Sequence, residues 1–146
     1  MKIEKYKPLF DTPAELLYNV VWSIILEKEP SITKMRPITQ TMEAWVAFID
    51  NKPVAIQVNE PSLNNQVYRV ISWTKPSFRG QGIFKKLNAA IDLDLSARGF
   101  THYISHIIAP EKEMLQAVLN RGGRILEYKC QRPIYTKEEL NARGDL

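Results

Sequence analysis

Apolar residues recur at the spacing of an amphipathic helix soon after the start of the chain. Thr12 suits the N-cap, Pro13 suits the first helical position, and Glu15 completes a capping box. A helix of this kind would end before Pro30. The pattern predicts a helix over residues 13–28, and its broad apolar face consists of Leu16, Leu17, Val20, Val21, Ile24 and Ile25.

A second helical pattern follows Gly82 and reaches about Arg98. Its apolar residues form a wide arc, which predicts packing on a sheet, and Gly99 suits the position after the last helical residue. Asp94 falls inside the arc and is expected to pair with Arg98 or another cation rather than to act in catalysis. On the opposite side, a polar strip runs through Lys85, Asn88, Asp92 and Ser96.

Several runs of β-branched and aromatic residues have the length of strands. Runs at 43–49 and 53–59 are joined by Asp50-Asn51-Lys52, which is typical of a tight hairpin. A further turn leads to a run at 66–74, so the three runs predict an antiparallel meander. The run at 101–108 follows a crossover helix and is expected to lie parallel to 66–74. The other predicted elements are a helix from Pro110 to Gly122-Gly123 and strands at 124–129 and 131–135.

Length and composition narrow the class of protein. The 146 residues suit one domain with its own core, taken here as residues 1–146. No apolar run reaches the roughly 18 residues that a membrane span requires, and no signal-peptide core follows the first residues. The one cysteine, Cys130, allows no internal disulfide and lacks companions for a zinc site. These features predict a cytoplasmic protein without a metal.

The segment Arg79-Gly80-Gln81-Gly82 lies where the strand 66–74 leads into the second helix. Glycines let backbone N–H groups approach a ligand closely, with no room expected for a Cβ at Gly82, and a helix N-terminus adds about half a positive charge. The net charge of +4 suits an anionic ligand, although the basic residues are too scattered to predict nucleic-acid binding. The segment therefore indicates a pyrophosphate site, with an ordinary glycine turn as the alternative.

Two common phosphate motifs do not fit this segment. A P-loop requires Lys-Ser/Thr after its second glycine, where this chain has Ile83-Phe84, and a dinucleotide fingerprint requires a glycine at Lys85. The segment instead resembles motif A of the GCN5-related N-acetyltransferases, Arg/Gln-x-x-Gly-x-Gly/Ala. Arg79, Gly82 and Phe84 occupy the defining positions. Since Phe84 replaces a small residue, the helix is expected to start slightly further from the pyrophosphate.

The order of predicted elements also resembles this family over about residues 12–135, and residues 2–6 would supply the family's first strand. The resemblance implies an α/β fold with a central mixed sheet. This sheet has an antiparallel N-terminal meander, a parallel pair joined by the cofactor-binding helix, and helices on both faces. It also implies acetyl-CoA as co-substrate. The implied cofactor-binding residues are Trp73, Thr74 and Lys75 for the pantetheine arm, and Arg79, Gly80, Gln81, Gly82, Ile83 and Phe84 for the pyrophosphate.

The second half of the chain keeps the family's frame but changes two side chains. Residues 108–112, Ile-Ala-Pro-Glu-Lys, stand where the family often has Val-x-Pro-Glu-Asn. Lys112 therefore takes the place of an asparagine and is a further implied cofactor contact. Leu119 stands where the family often has a tyrosine that protonates the leaving thiolate.

The group that takes a proton from the amine is the least specified part of the site. Glu60 ends a strand on the expected acceptor side, and His106 lies on the strand expected to diverge from 66–74. Each has a structural alternative, a solvated turn residue for Glu60 and a hydrogen-bonded core residue for His106. The other groups considered are Tyr68, Tyr103, Tyr128 and Cys130.

Together these features predict an N-acetyltransferase that transfers an acetyl group from acetyl-CoA directly to a primary amine in a ternary complex. The acceptor is a small molecule or a protein, and a polyamine, an amino acid derivative, an antibiotic and a protein amine all remain open. A homodimer is compatible with this function, whereas a membrane partner is not expected. The alternative is a non-catalytic module of the same fold that binds coenzyme A or a protein.

Overall fold

A computed structural model describes most of the chain. The described residues are 1–28, 32–106, 116, 119–122, 124–126 and 129–146. Their elements are β1 (Lys2–Tyr6), α1 (Pro13–Lys28), β2 (Glu43–Ile49), β3 (Lys52–Pro61), β4 (Gln66–Thr74), a 3₁₀ turn (Pro76–Phe78), α2 (Ile83–Ala97), β5 (His102–His106), β6 (Arg124–Leu126), β7 (Lys129–Pro133) and α3 (Lys137–Ala142).

The strands of the described residues form a seven-stranded mixed sheet in the order β1-β2-β3-β4-β5-β7-β6. The β1–β2 and β2–β3 pairs are antiparallel. β4 and β5 are parallel, from Gln66 beside His102 to Arg69 beside Ser105. The predicted fold class and the predicted parallel pair are therefore confirmed. Among the described residues the β4–β5 pairing ends at Arg69, although β4 continues to Thr74.

Left-handed backbone sets both turns between the first strands. Asp50 and Asn51, between β2 and β3, have φ angles of 50° and 60°. Asn64 and Asn65, between β3 and β4, have φ angles of 61° and 58°. Asn and Asp tolerate this conformation better than other residues with a Cβ, because their short polar side chains bond locally. These residue types therefore explain where the chain reverses.

The residues of the chain fall into two compact units. The first comprises Met1–Asn59 and Ile71–Leu87, and the second comprises Glu60–Val70 and Asn88–Leu146. Burial of apolar side chains is the main force that stabilises each unit. In the first unit the fully enclosed apolar side chains include Leu9, Ala14, Tyr18, Met42, Ala44, Val46, Ala47, Ala55, Ile56, Val58 and Leu87.

Helix α1 buries a narrower face than its pattern predicts. Tyr18 and Trp22 are buried, and their rings meet edge to face with centroids 6.2 Å apart. Burial of these two large rings determines which stripe of the helix faces the core. Leu16 and Val20 lie outside that stripe and are 71% and 52% exposed. The prediction that these two belong to the packed face is therefore wrong. The buried stripe consists of Ala14, Leu17, Tyr18, Val21 and Trp22.

In the second unit, α2 turns polar side chains inward. Asn88 and Asp92, predicted to lie on a strip opposite the packed arc, are fully buried. Asp92 accepts hydrogen bonds from Arg121 at 3.1 Å and from Arg132 at 3.0 and 3.1 Å. Since these arginines lie 29 and 40 residues further along the chain, the spacing within the helix cannot reveal them.

The predicted ends of α2 and its surface ion pair are confirmed. Gly99 adopts a φ of 88°, and Phe100 N donates to Leu95 O at 3.1 Å, which closes the helix. Asp94 and Arg98 pair at 2.8 Å.

Helix α3 was not among the predicted elements. Thr136 caps it, because its Oγ1 accepts from Glu139 N at 3.2 Å. Leu140 is fully buried and packs in a cluster with Ala89 and Tyr135. A buried leucine and an N-cap hydrogen bond therefore stabilise a helix in a segment whose other residues are mostly polar.

Candidate cofactor site

β4 leads into the candidate site through the 3₁₀ turn Pro76–Phe78. Phe78 N donates to Lys75 O at 2.8 Å, and Arg79 N donates to Pro76 O at 3.2 Å. Pro76 starts the turn, where its fixed φ is suitable and its missing N–H is not needed. The turn therefore brings Arg79 back toward the end of β4.

Two glycines connect this turn to α2. Gly80 and Gly82 have left-handed φ angles of 77° and 76°, which L side chains rarely adopt. Gly82 O accepts from Lys86 N at 3.1 Å, so Gly82 precedes the first turn of α2. The first N–H groups of an α-helix have no partner within the helix and are available to an anion.

The need for glycine at these two positions is conformational. A Cβ added at Gly80 or Gly82 would meet no atom of the protein within 4 Å. The expectation that a bound pyrophosphate leaves no room for a Cβ at Gly82 stays a prediction, because the protein's own atoms do not crowd this position. A side chain there would instead strain the backbone and would project into the space in front of the helix N-terminus.

Arg79 is anchored to the last residue of β4. Its Nε donates to Thr74 O at 2.9 Å, and its side chain is otherwise exposed. Its two terminal nitrogens have no partner among the described residues. A planar guanidinium held at one edge can present these two nitrogens together to a phosphate.

The charged residues around this turn are all basic. From Lys75 to Ile91 the sequence contains basic residues and no acidic residue. Lys75 Nζ lies 5.9 Å from the centroid of the Phe78 ring, and its backbone N donates to Val54 O at 2.8 Å. Such an excess of charge attracts anions. The basic residues are Lys75, Arg79, Lys85 and Lys86, all of them exposed.

The other predicted cofactor contacts lie along the same stretch of the first unit. Trp73 and Thr74 are half-buried at the end of β4, and Phe84 is half-buried in the first turn of α2. Gln81 is exposed, whereas Ile83 is buried, so Ile83 can offer a ligand only its backbone. The structure brings these residues together, and their contact with a cofactor stays a prediction.

The predicted catalytic residues do not belong to that stretch. Glu60 is half-buried near the end of β3 and belongs to the second unit. His106 ends β5, where its backbone pairs with that of Lys129, and its side chain lies outside the described residues. Lys112 also lies outside them. The roles of Glu60, His106 and Lys112 therefore stay predictions.

Of the other groups considered for catalysis, Tyr103 has a defined environment. It is fully buried, and its ring packs against the guanidinium groups of Arg69 and Arg132. Tyr68 is half-buried on β4. Tyr128 and the side chain of Cys130 lie outside the described residues.

A buried carboxylate in the first unit was missed by sequence reasoning. Glu43 on β2 is fully buried and pairs with Lys7 at 3.3 Å and with Lys5 at 3.9 Å. On β3, Gln57 Nε2 donates to Asn59 Oδ1 at 3.1 Å, and both residues are fully buried. Asn59 is the partner of Glu43 in the β2–β3 register, so the two share a face of the sheet. The sequence signal that could have indicated this buried polar site is the pair of polar residues Gln57 and Asn59, two positions apart in β3.

Neither a metal-binding cluster nor a membrane-spanning helix occurs within the described ranges. No group of three or more His, Cys, Asp or Glu residues in the described part of the chain could hold a metal ion. No helix formed by these residues is long and apolar enough to cross a membrane.

Solved structures of other proteins share the fold of this chain. No protein-family model matches the sequence, and no curated protein matches it. A GNAT-family acetyltransferase from Staphylococcus aureus shares 13% identity, with 92% of this chain and 100% of that chain covered at a TM-score of 0.72. The PaiA N-acetyltransferase from Thermoplasma acidophilum, solved with coenzyme A, shares 13% identity, covering 91% and 99% at a TM-score of 0.68.

A third structure widens the range of chemistry found on this fold. BjaI, a CoA-dependent acyl-homoserine lactone synthase, shares 11% identity, with 98% of this chain and 87% of that chain covered at a TM-score of 0.74. The parallel β4–β5 pair, the α2 crossover and the Arg79–Gly82 turn occur here on the same overall topology. The chain has the fold of the GCN5-related N-acetyltransferases.

Proposed function

We propose that this protein is an acyl-CoA-dependent N-acetyltransferase, one domain spanning residues 1–146, that acts on a primary amine in the cytoplasm. The observation that carries the proposal is the turn from Thr74 to Gly82. There an anchored arginine, two left-handed glycines and the start of a helix lie within one positively charged stretch. On this fold, such a turn is suited to the pyrophosphate of coenzyme A.

The residues of the turn fit coenzyme A in charge and in hydrogen-bonding capacity. Arg79 offers two terminal nitrogens, and the N–H groups at the start of α2, three residues further along the chain, offer further donors. Lys85 or Lys86 could reach a further phosphate from the first turns of the helix. The backbone of Trp73, Thr74 and Lys75 would hold the pantetheine arm. Bound here, acetyl-CoA supplies the acetyl group as a thioester.

Transfer to the amine would be direct, within a ternary complex. The acceptor must lose a proton before it can attack, and Glu60 and His106 are the proposed groups for this step. A backbone N–H of β4 would stabilise the negative charge that develops on the thioester oxygen. The acceptor class stays open between small-molecule and protein amines.

A second candidate function is a module that binds coenzyme A or a protein without turnover. Leu119, at the position where the related enzymes often have a tyrosine, favours it. This residue is 47% exposed and carries no group that could protonate a thiolate.

One assay separates the two functions. The purified protein is incubated with acetyl-CoA and a panel of polyamines, amino acids and peptides, and free thiol is measured. We expect thiol release with at least one amine. Acetyl-CoA binding by calorimetry without thiol release across the panel would favour a module that binds coenzyme A. No binding at all would overturn the transferase and the coenzyme A module, and would leave only a module that binds a protein.

A further inference from the structure

The side chain of Arg79 bonds the edge of β4 that faces away from β3. Lys75 N donates to Val54 O on β3 at 2.8 Å, so the N–H of this peptide group points toward β3. Because the peptide group between Thr74 and Lys75 is trans and planar, its carbonyl oxygen, Thr74 O, points the opposite way. Arg79 Nε donates to this carbonyl at 2.9 Å. The bond therefore lies on the side of β4 that β3 leaves uncovered.

That side of β4 has no strand partner beside Thr74 among the described residues. The neighbours of β4 in the sheet are β3 and β5, and the described β4–β5 pairing ends at Arg69, whereas β4 continues to Thr74. An uncovered strand edge presents backbone N–H and C=O groups to an extended chain. Arg79 therefore bonds the last carbonyl of an edge along which an extended ligand could lie.

The backbone of the 3₁₀ turn holds Arg79 in this position. Arg79 N donates to Pro76 O at 3.2 Å, and Phe78 N donates to Lys75 O at 2.8 Å. The main chain and the side chain of Arg79 are thus both bonded to the segment 74–76. The two terminal nitrogens of the guanidinium face no partner within the described part of the chain and are available to a phosphate.

We propose that Arg79 is a positioning residue as well as a phosphate contact. Its Nε bond would fix the distance between the bound pyrophosphate and the end of β4, and so determine how far the pantetheine arm extends along that strand. Two linked contacts reinforce one another only when the spacing of their sites matches the ligand. This role rests on the proposed function, and it requires the shape of the arginine side chain in addition to its charge.

Two substitutions separate the anchoring bond from the charge. The amide nitrogen of glutamine follows the same number of carbons as Nε of arginine, so Arg79→Gln keeps a donor for Thr74 O and removes the charge. Arg79→Lys keeps the charge but places a carbon atom where Nε was. Because Arg79 is exposed, neither substitution disturbs a buried side chain.

Calorimetry of the whole protein with ADP and with dephospho-coenzyme A, direct or by competition, tests the proposal. The second ligand adds the pantetheine arm to the first, so the ratio of their affinities measures the contribution of the arm. We expect Arg79→Lys to bind ADP within about threefold of the wild type and to lower the ratio about tenfold. Arg79→Gln should weaken ADP binding about tenfold and preserve the ratio. Arg98→Lys, which changes a surface arginine elsewhere, should alter neither.

Three results would overturn the positioning role. A wild-type ratio in Arg79→Lys would mean that charge alone is sufficient. A ratio in Arg79→Gln as low as in Arg79→Lys would mean that the retained donor has no effect. Equal wild-type affinities for the two ligands would mean that the arm makes no contact to position. Wild-type protein that binds neither ligand would instead overturn the proposed binding of coenzyme A, and the role of Arg79 with it.

Discussion

Arg132 forms a two-point ion pair with Asp92, in which Nη2 lies 3.0 Å from Oδ1 and Nη1 lies 3.1 Å from Oδ2. Neither side chain is more than 3% exposed. The pair joins β7 to α2 within the second unit. Removing one partner of a buried pair strands the other charge, which costs about 3–5 kcal/mol. We therefore expect Asp92→Asn to lower the free energy of unfolding by about that amount in denaturant titrations.

The neighbouring carboxylate provides the control for Asp92. Asp94 pairs with Arg98 at 2.8 Å on the surface, with about a third of each side chain exposed. Exposed pairs contribute about 0–1 kcal/mol, so Asp94→Asn should change stability little. Equal losses for Asp92→Asn and Asp94→Asn would contradict the importance of the buried pair.

Gly82 is expected to be required for coenzyme A binding. Gly82→Val places a branched side chain in front of the helix N-terminus, and we expect calorimetry to show at least a tenfold weaker affinity. Gly144 is the matched control, because its φ is 71° and an added Cβ there also meets no atom within 4 Å. Both valine variants should lose about 1–2 kcal/mol of stability through backbone strain. Similar affinities in the two variants would mean that Gly82 is only a structural turn.

Arg79 tests the charge at the same site. If it makes a charged hydrogen bond to the pyrophosphate, Arg79→Ala should cost about 1.5–3 kcal/mol of coenzyme A binding. Because an anion meets a positive site, added salt should weaken binding in the wild type and less so in the variant. Arg98→Ala, which removes a cation elsewhere, should bind as the wild type does. Unchanged affinity and salt dependence in Arg79→Ala would remove the cofactor assignment.

Glu60 and His106 are tested by kinetics. If either takes the proton from the amine, Glu60→Gln or His106→Ala should lower kcat and leave acetyl-CoA affinity unchanged. The only other histidine, His102, lies on the same strand, so His102→Ala is the control for His106. Normal turnover in both variants would indicate that water carries the proton.

Tyr6 makes stability depend on pH in the alkaline range. Burial, and secondly its hydrogen bond to Glu4, raises its pKa from 10.0 to about 12. The fold favours the neutral phenol, so this contribution to stability is complete below pH 10 and is lost as the pH rises to about 12. Spectrophotometric titration should detect a late tyrosine. Tyr6→Phe should remove this late titration, and Glu4→Gln should shift it to lower pH. Titration of all tyrosines near pH 10 would contradict the assignment.

Local chemistry in the sequence determined much of the fold. Asp50 and Asn51 mark a turn because few other residues tolerate left-handed backbone, and Gly99 ends α2 for the same reason. The parallel β4–β5 pair follows from the crossover helix between them. The Arg79–Gly82 segment could also be recognised from the sequence, because its arginine, its two glycines and the helix that follows are contiguous in the chain.

The tertiary structure alone decided which polar side chains turn inward. Asn88 and Asp92 look like a solvated strip on a helix, but they are buried because arginines from distant strands and loops neutralise and bond them. Glu43 is buried for a similar reason, through lysines 36 and 38 positions earlier in the chain. Burying a charge is tolerated only beside a partner. A local pattern contains no information on where such a partner will lie once the chain has folded.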